Sequence, residues 1–283
     1  MSKKTYSENE IKNYYDTLGS KDIEPELVKE LIYGFHFPYY KKRTDTWKDA
    51  CLNTNDLISN KLALDTESLE VLDAGCGMGG TLVYLAKKYP NIHFTGVTIS
   101  PNEINLAKKL KNVYNVDNIE FLVGNYADID VDDKYFDGVF ALDSMCYSED
   151  KHDFVNEMRR VLKSNGRFFV LDGFRSKKPL GFFTEKIYKS YLKNLSLNDL
   201  MSINDFLILL QTAGFKDIKT ENLIKKPLTN FLKNANALSG ESYIISNYNK
   251  DNKRKLFQNE QIHMFLLELS KKMNCYSVSC VKN

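Results

Sequence analysis

The clearest chemical signal in the sequence is a glycine-rich loop with an acid in front of it. The stretch 71–80 reads VLDAGCGMGG, so Asp73 stands two residues before Gly75, and Gly77 and Gly79 follow at alternate positions. Glycines allow a tight turn and let the backbone approach a ligand closely. A helix that begins after such a loop offers unpaired amide groups to a carboxylate or phosphate, and the acid favours hydroxyls or positive charge. These residues predict a site for a nucleotide-like ligand.

Two ligand classes fit this loop. The spacing Gly75-x-Gly77-x-x-Gly80 also satisfies the dinucleotide fingerprint, which expects an acid on the ribose about 20 residues further on. The second predicted strand, residues 92–98, is followed by Ile and Ser, and no acid occurs before Glu103. The pattern therefore departs from that of nicotinamide enzymes, and an NAD-dependent oxidoreductase is kept as an alternative.

The second ligand class follows from a resemblance. The loop Asp-x-Gly-x-Gly-x-Gly, followed by GVTISP at 96–101, resembles the class I S-adenosylmethionine-dependent methyltransferases. More narrowly, it is similar to the branch that contains cyclopropane fatty acid synthases, sterol and tocopherol C-methyltransferases and geranyl diphosphate C-methyltransferases. In that branch Thr or Ser often replaces the acid after the second strand, with a Gln three residues beyond the Ser, where this chain has Glu103. The resemblance implies S-adenosyl-L-methionine as cofactor and S-adenosyl-L-homocysteine as product.

The same resemblance assigns the cofactor-binding residues. After the third strand the family commonly has Gly-Asp-x, with the acid on the adenine amino group, and Asn125 could accept that hydrogen bond here. An aromatic segment at 33–40, YGFHFPYY, resembles the one that closes over the methionine part of the cofactor. Ring faces attract cations by about 0.5–2 kcal/mol, although such rings also serve as hydrophobic packing. The expected cofactor-binding residues are Tyr33, Asp73, Gly75, Gly77, Gly79, Thr98, Ser100, Glu103, Asn125 and Tyr126.

Asp143 follows the fourth predicted strand, at the position that faces the reacting groups in this fold. The C-methyltransferases that the chain resembles commonly have Glu there and a His or Tyr four residues later, which corresponds to Asp143 and Tyr147. A carboxylate would stabilise and then deprotonate the carbocation formed at an alkene, or it would orient an amine or hydroxyl and take its proton. Capping of the next helix is the alternative role. His36 is a second candidate base.

Strand and helix patterns alternate along the chain. They predict an α/β fold with a Rossmann-like, mostly parallel sheet of seven strands, helices on both faces and an added helical cap. Predicted strands lie at 69–74, 92–98, 118–123, 136–142, 168–171, 215–220 and 276–281. The expected division is an N-terminal cap segment at 1–64, the cofactor-binding core at 65–222, a helical cap insertion at 223–275 and the final strand at 276–283.

Composition narrows the class of protein without identifying it. The 283 residues are 43% hydrophobic, and 39 basic residues against 37 acidic ones give a net charge of +2, without the basic footprint of a nucleic-acid binder. Residues 1–10 lack an apolar signal core, and no run approaches the ~18 apolar residues that span a bilayer. A cytoplasmic protein without stable membrane insertion is therefore expected. The five cysteines form no Cys-x-x-Cys pair, so no metal site is expected.

Together these patterns predict an enzyme that methylates a small organic molecule, with an isoprenoid or lipid-like carbon preferred as the acceptor. The preference depends on Asp143 and the aromatic segment, and an N- or O-methyltransferase of a small amine or natural product is the alternative. Basic groups at 41–43, 175–178 and 225–226 would be solvated surface, or would clamp an anionic substrate. A non-catalytic cofactor-binding module and an RNA methyltransferase are less favoured, and a homo-oligomer stays open.

Overall fold

The computed structural model describes residues 6–19, 28–33, 36–65, 68–177, 179–224, 229, 232–233 and 262–283. Parts of the expected cap lie outside the described residues. These are Gly34 and Phe35 of the aromatic segment, the basic pair at 225–226 and most of the insertion at 223–275. None of the described helices has the length and apolarity needed to cross a membrane.

Seven strands form a single sheet. In chain order they are β1 (Glu70–Ala74), β2 (His93–Thr98), β3 (Ile119–Val123), β4 (Phe136–Leu142), β5 (Leu162–Arg175), β6 (Phe215–Asn222) and β7 (Met273–Lys282). Their order in the sheet is β3-β2-β1-β4-β5-β7-β6. β1 to β5 run parallel, and β7 is antiparallel to both of its neighbours. The mostly parallel, seven-stranded α/β sheet expected from the sequence is confirmed.

Helices connect the strands and cover the sheet. They are α1 (Glu8–Gly19), α2 (Trp47–Leu62), α3 (Gly80–Lys88), α4 (Pro101–Tyr114), α5 (Lys151–Val161), α6 (Phe182–Asn194) and α7 (Ile203–Thr212). Residues 262–269 are also helical. Two short 3-10 turns lie at Lys29–Tyr33 and at Met145–Tyr147.

Each face of the sheet buries its own apolar core. Helices α2, α3 and α4 cover one face, where Ile58, Leu82 and Ile104 are buried. Helices α5 and α7 cover the other face with Phe154 and Phe206. Because parallel strands covered on both faces are nearly continuous apolar runs, polar side chains concentrate at the strand ends. The apolar faces of the sheet therefore stabilise the fold, and the polar residues that could take part in a reaction lie at the ends of the strands.

Capping residues bring the helices close to that edge. Ser100 caps α4 by accepting a hydrogen bond from the Glu103 amide, and Pro101 occupies the first helical position, where no amide donor is needed. Only two residues therefore separate the end of β2 from the start of this helix. As a result, Glu103 lies in its first turn, directly beside the glycine-rich loop.

The structure differs most from the sequence prediction at two strands. β5 begins at Leu162 rather than at residue 168, because Leu162 already pairs with Phe136 before the register shifts. β7 begins at Met273 rather than at residue 276, because it pairs with β5 as far as Arg175. Both strands are longer than the apolar pattern predicts, since backbone pairing continues through the polar residues that interrupt this pattern.

A methyl group at Gly96 should destabilise the protein. A Cβ there would lie 2.6 Å from Leu82 Cδ1 and 2.8 Å from Cys76 Sγ, so Gly96→Ala should lower the free energy of unfolding by about 1–3 kcal/mol, as overpacking does. The control is Gly124→Ala, whose Cβ would meet only Val97 Cγ1, at 4.0 Å. Urea denaturation measures both. Equal stability of the two variants would contradict the close approach at Gly96.

Candidate active site

The glycine-rich loop leaves β1 and passes over the carboxyl ends of three strands. The amides of Gly75 and Cys76 both donate to the Val97 carbonyl at 2.9 Å, which fixes the loop to β2. Gly75 has a φ of 102°, and a Cβ on it would lie 2.4 Å from Ser144 Cβ. Only glycine fits there, because both the backbone conformation and the approach to the loop after β4 exclude a side chain.

Asp73 lies beneath this loop with an unpaired oxygen. It is 3% exposed, and its Oδ1 atom has no hydrogen-bond partner among the described residues. Burial raises the pKa of Asp73 well above its ordinary value, because a buried carboxylate without a partner is costly. Asp73 lines the cavity at the strand ends. It is therefore an open acceptor for a ligand that carries a cation or a donor.

Thr98 and Glu103 form a second polar group at the end of β2. The Thr98 hydroxyl donates to Glu103 Oε2 at 2.8 Å, and both residues line the cavity. Burial raises the pKa of Glu103 to about 7, although the Thr98 hydrogen bond opposes the shift. Glu103 Oε1 faces Gly77, at 3.6 Å from the position a Cβ would take. The pair offers carboxyl oxygens to hydroxyl groups such as those of a ribose.

Asn125 and Tyr126 also line the cavity, but their side chains already have partners. The Asn125 amide nitrogen donates to Glu8 Oε2 at 2.7 Å, and its oxygen accepts from the Ala127 amide at 2.8 Å. The oxygen has a second lone pair, so acceptance from an adenine amino group stays a prediction. The Tyr126 hydroxyl donates to the Ser144 carbonyl at 2.8 Å, which joins the loops after β3 and β4.

Three of the predicted cofactor-binding residues do not line the cavity. The Tyr33 ring packs against Trp47, and the Lys48 ammonium lies 4.9 Å from its centre. Gly79 lies where α3 and α4 meet, since a Cβ on it would be 2.9 Å from Ala107 Cβ. The third, Ser100, acts as the cap of α4 described above, and its hydroxyl donates to Asp16 Oδ1 at 2.6 Å.

Helix α1 supplies the aromatic wall that the sequence assigns to residues 33–40. Tyr15 of α1 lines the cavity together with Tyr147, and their ring centres are 5.2 Å apart at an interplanar angle of 77°. The helix is attached near both ends, by Asp16 to Ser100 and by Glu8 to Asn125. Sequence reasoning missed Tyr15. The available signal was the spacing of Ile11 and Tyr15, four residues apart on one helix face.

Asp143 lies at the end of β4 in a strained backbone conformation, with a φ of 45°. It lines the cavity, and its Oδ2 atom accepts a hydrogen bond from the Phe37 amide at 2.6 Å. Burial and the nearby Asp172 carboxylate raise the pKa of Asp143 to about 7, against the effect of the Phe37 amide. A carboxyl group that titrates near neutrality is suited to general base catalysis.

His36 is placed beside Asp143 in the cavity wall. Its Nε2 atom lies 3.0 Å from Asn55 Oδ1, and its Nδ1 atom lies 3.3 Å from the Phe37 carbonyl oxygen. Burial lowers the pKa of His36 to about 4, so the ring is neutral at physiological pH and holds a proton weakly. The role of His36 as a base stays a prediction, and the geometry favours Asp143 over it.

The cavity at the strand ends has a volume of about 580 Å³, within the range typical of small-molecule sites. Its lining is strongly acidic. No lysine or arginine lines it within the part of the chain that the structure describes. The acidic lining residues are Glu8, Asp73, Glu103, Asp143, Glu149, Asp150 and Asp153.

The basic groups singled out in the sequence lie elsewhere or fall outside the described residues. Lys177 pairs with Asp205 at 2.6 Å, and Arg175 lies 3.6 Å from Asp199. The side chains at 41–43 are exposed. None of the basic groups that the structure describes lines the cavity, so these described groups give no support to a clamp for an anionic substrate at this site.

The core of the chain matches a known protein family. Residues 72–170 match the family model of a methyltransferase domain. Residues 72–170 therefore form a methyltransferase domain. The match confirms the expectation of an S-adenosylmethionine-dependent methyltransferase domain, with S-adenosylmethionine as its cofactor.

Proteins similar to this methyltransferase chain act on different acceptor atoms. Norajmaline N-methyltransferase from Rauvolfia serpentina is 33% identical over 156 residues, 53% of this chain and 53% of the relative. The O-methyltransferase rstn1 of Aspergillus nomiae is 27% identical over 202 residues, 70% of this chain and 88% of the relative. The chain thus spans about half the length of the first relative. A mycolic acid cyclopropane synthase structure, at 16% identity, has a TM-score of 0.78 over 95% of this chain and 98% of that one, and shows the shared fold.

The lining of the cavity is compatible with S-adenosylmethionine. The unpaired Oδ1 atom of Asp73 would accept a hydrogen bond from the ammonium of the methionine part, and Glu103 would accept from the ribose hydroxyls. Gly75 and Gly77 leave room for the ligand against the backbone. The remaining assignments from the sequence stay predictions.

Asp73→Asn should weaken cofactor binding without lowering the stability of the ligand-free protein. Loss of a charged acceptor costs about 1.5–3 kcal/mol, so the affinity for S-adenosylhomocysteine, measured by calorimetry, should fall about tenfold to a hundredfold. The melting temperature of the ligand-free protein should stay equal or rise, because an unpaired buried carboxyl group is removed. Asp137→Asn is the control, since Asp137 lies at the start of β4, hydrogen-bonded to the Glu70 amide. Unchanged affinity in Asp73→Asn would remove Asp73 from the cofactor site.

Proposed function

We propose that this protein is an enzyme that transfers a methyl group from S-adenosylmethionine to a basic nitrogen of a small organic molecule. The acidic lining of the cavity carries this proposal. Seven carboxyl side chains line it, and no lysine or arginine among the described residues lines it with them. An amine that is protonated in solution would be attracted to such a cavity, whereas a diphosphate would be repelled.

The movement of positive charge during methyl transfer also favours an acceptor bound in an acidic cavity. When bound, S-adenosylmethionine supplies a methyl group on positively charged sulfur, and the acceptor lone pair forms the new bond to carbon as the carbon–sulfur bond breaks. The positive charge thereby moves to the acceptor. Carboxyl groups and the faces of Tyr15 and Tyr147 stabilise positive charge at the acceptor both before and after transfer.

Asp143 supplies the base in this proposal. A protonated amine has no free lone pair, so one proton must leave the nitrogen before it attacks. The Asp143 carboxylate takes that proton, and its pKa near 7 allows it to be ionised and still accept one. Phe37 holds Asp143 in place through its amide, and the α1 helix closes the cavity against water. Most of the rate enhancement is expected from alignment and exclusion of water.

A carbon acceptor, the preference drawn from the sequence, is the second candidate. The observation that favours it is the same group of Asp143, Tyr15 and Tyr147 in one cavity, since a carbocation formed at an alkene would also need a carboxylate and aromatic faces. The acidic lining distinguishes the two candidates, because an uncharged alkene gains nothing from it before transfer.

Isotope transfer decides between these acceptors. Purified protein is incubated with S-adenosylmethionine labelled in its methyl group and with a set of primary, secondary and aromatic amines. Parallel reactions contain geranyl diphosphate and an unsaturated fatty acid. Mass spectrometry should find the label on an amine, with none on the two alkenes. Label on an alkene alone would overturn the proposal in favour of C-methylation.

Asp143→Asn tests the base. The turnover number should fall on the order of 10²–10⁴-fold, while the affinity for S-adenosylhomocysteine stays unchanged. In the wild type, Asp143 acts as the ionised form, so activity should be low at acid pH and rise as the pH passes through about 7. Asp137→Asn should keep the wild-type rate and profile. Full activity of Asp143→Asn would exclude Asp143 as the base.

A further inference from the structure

A second buried carboxyl group lies behind the cavity. Asp172, near the carboxyl end of β5, is 2% exposed and does not line the cavity. Its Oδ2 atom accepts a hydrogen bond from the Cys146 amide at 2.9 Å, and its Oδ1 atom accepts from the Gly173 amide at 2.7 Å. The first of these bonds ties β5 to the 3-10 turn Met145–Tyr147.

A buried lysine holds the same turn from its other end. Lys151 is 8% exposed, and its ammonium donates to the carbonyl oxygens of Cys146, at 3.1 Å, and Ser148. The turn therefore lies between a carboxylate bound to its amide side and an ammonium bound to its carbonyl side. Two opposite charges buried in this way oppose any rotation of the turn.

The turn carries groups that reach the cavity. Tyr147 is its last residue, and Asp143 comes two residues before it begins. β5 also holds Asp143 directly, because the Asp143 amide donates to the Leu171 carbonyl at 2.9 Å. Asp172 is thus linked to Asp143 through two neighbouring backbone contacts, although Asp172 itself does not line the cavity.

The charged and titratable groups around Asp143 come from four elements. β5 contributes Asp172, the 3-10 turn contributes Cys146, β7 contributes Cys275, and the segment before α2 contributes the Phe37 amide with the His36 ring. Burial, together with Asp172, raises the pKa of Asp143, and the Phe37 amide opposes this. Asp172 is the one side chain in this set that adds a negative charge beside Asp143, and Lys151 moderates it.

We infer that Asp172 is a positioning residue for methyl transfer, which fixes the Met145–Tyr147 turn and keeps the Asp143 carboxyl group ready to take a proton from the acceptor. The inference rests on the proposed function, in which Asp143 is the base. Asp172 itself touches neither cofactor nor acceptor.

Asp172→Asn tests this role, because it keeps the size and one acceptor oxygen but removes the charge. Loss of the neighbouring negative charge should lower the pKa of Asp143. The acid limb of the pH profile of the turnover number should therefore move to lower pH, by about one unit or more. The affinity for S-adenosylhomocysteine should stay unchanged, and Asp137→Asn should leave the profile where it is. A lower turnover number with an unmoved acid limb would show that Asp172 is merely structural and would overturn the inference.

A second measurement does not require the Asp172 variant to fold. Carboxyl carbon NMR of aspartate-labelled protein follows the titration of Asp172 in the wild type and in Asp143→Asn. Because coupling between two acids is reciprocal, the Asp172 midpoint should fall in the variant, and an identical midpoint would overturn the inference. Failure of the proposed function is distinguishable, since it would appear as full activity of Asp143→Asn or as label on an alkene alone.

Discussion

Asp73, Glu103 and Asp143 lie at the ends of three neighbouring strands, β1, β2 and β4, inside one cavity whose described lining has no lysine or arginine. Burial raises the pKa of each of them, because an ionised carboxylate loses its hydration there, and the hydrogen bonds from Thr98 to Glu103 and from Phe37 to Asp143 only oppose this effect. Such groups are stabilised when a cation or a hydrogen-bond donor arrives. These buried carboxyl groups destabilise this edge of the sheet, but they make the cavity electrostatically complementary to positive charge. The cofactor carries a sulfonium and an ammonium, so the same constraint accounts for its fit.

The cap completes this arrangement by closing over it. Helix α1 is attached to the loops after β2 and β3 through Asp16 and Glu8, so the cap contacts the elements that carry residues expected to bind the cofactor. Tyr15 then packs edge to face against Tyr147 in the cavity wall. A low-dielectric enclosure strengthens the interaction between the carboxyl groups and a positively charged ligand. The cap therefore contributes to electrostatics as well as to the exclusion of water.

The sequence predicts the sheet and the glycine-rich loop well, because both depend on local patterns. Apolar runs and turn residues place β1, β2 and β4 almost to the residue, and the acid before the glycines places Asp73 at a strand end. Tyr33 shows the limit of this reasoning. Its aromatic segment resembles a cofactor contact, but the ring packs against Trp47, and Tyr15 takes the place in the cavity. Tertiary packing decides which face of a helix contacts the core. The chemical type of a single residue does not predict this.

The pairing of Asp143 with Asp172 is likewise not visible in the sequence. It depends on the register between β4 and β5, which shifts between Phe136 and Gly138. A local pattern predicts where a strand passes but not which residues of two distant strands lie side by side. The position of Glu103 could be predicted from the sequence, because only a few residues and a helix cap separate it from β2.

The position of β7 between β5 and β6 has a consequence for folding during synthesis. Both neighbours precede β7 in the chain by at least 50 residues, and each pairs with it along most of its length. During synthesis on the ribosome, β5 therefore presents an open apolar edge until residues 273–282 have emerged. Unpaired edges of this kind invite association with other chains. The nascent protein is thus expected to need protection from aggregation until its last described strand has been inserted.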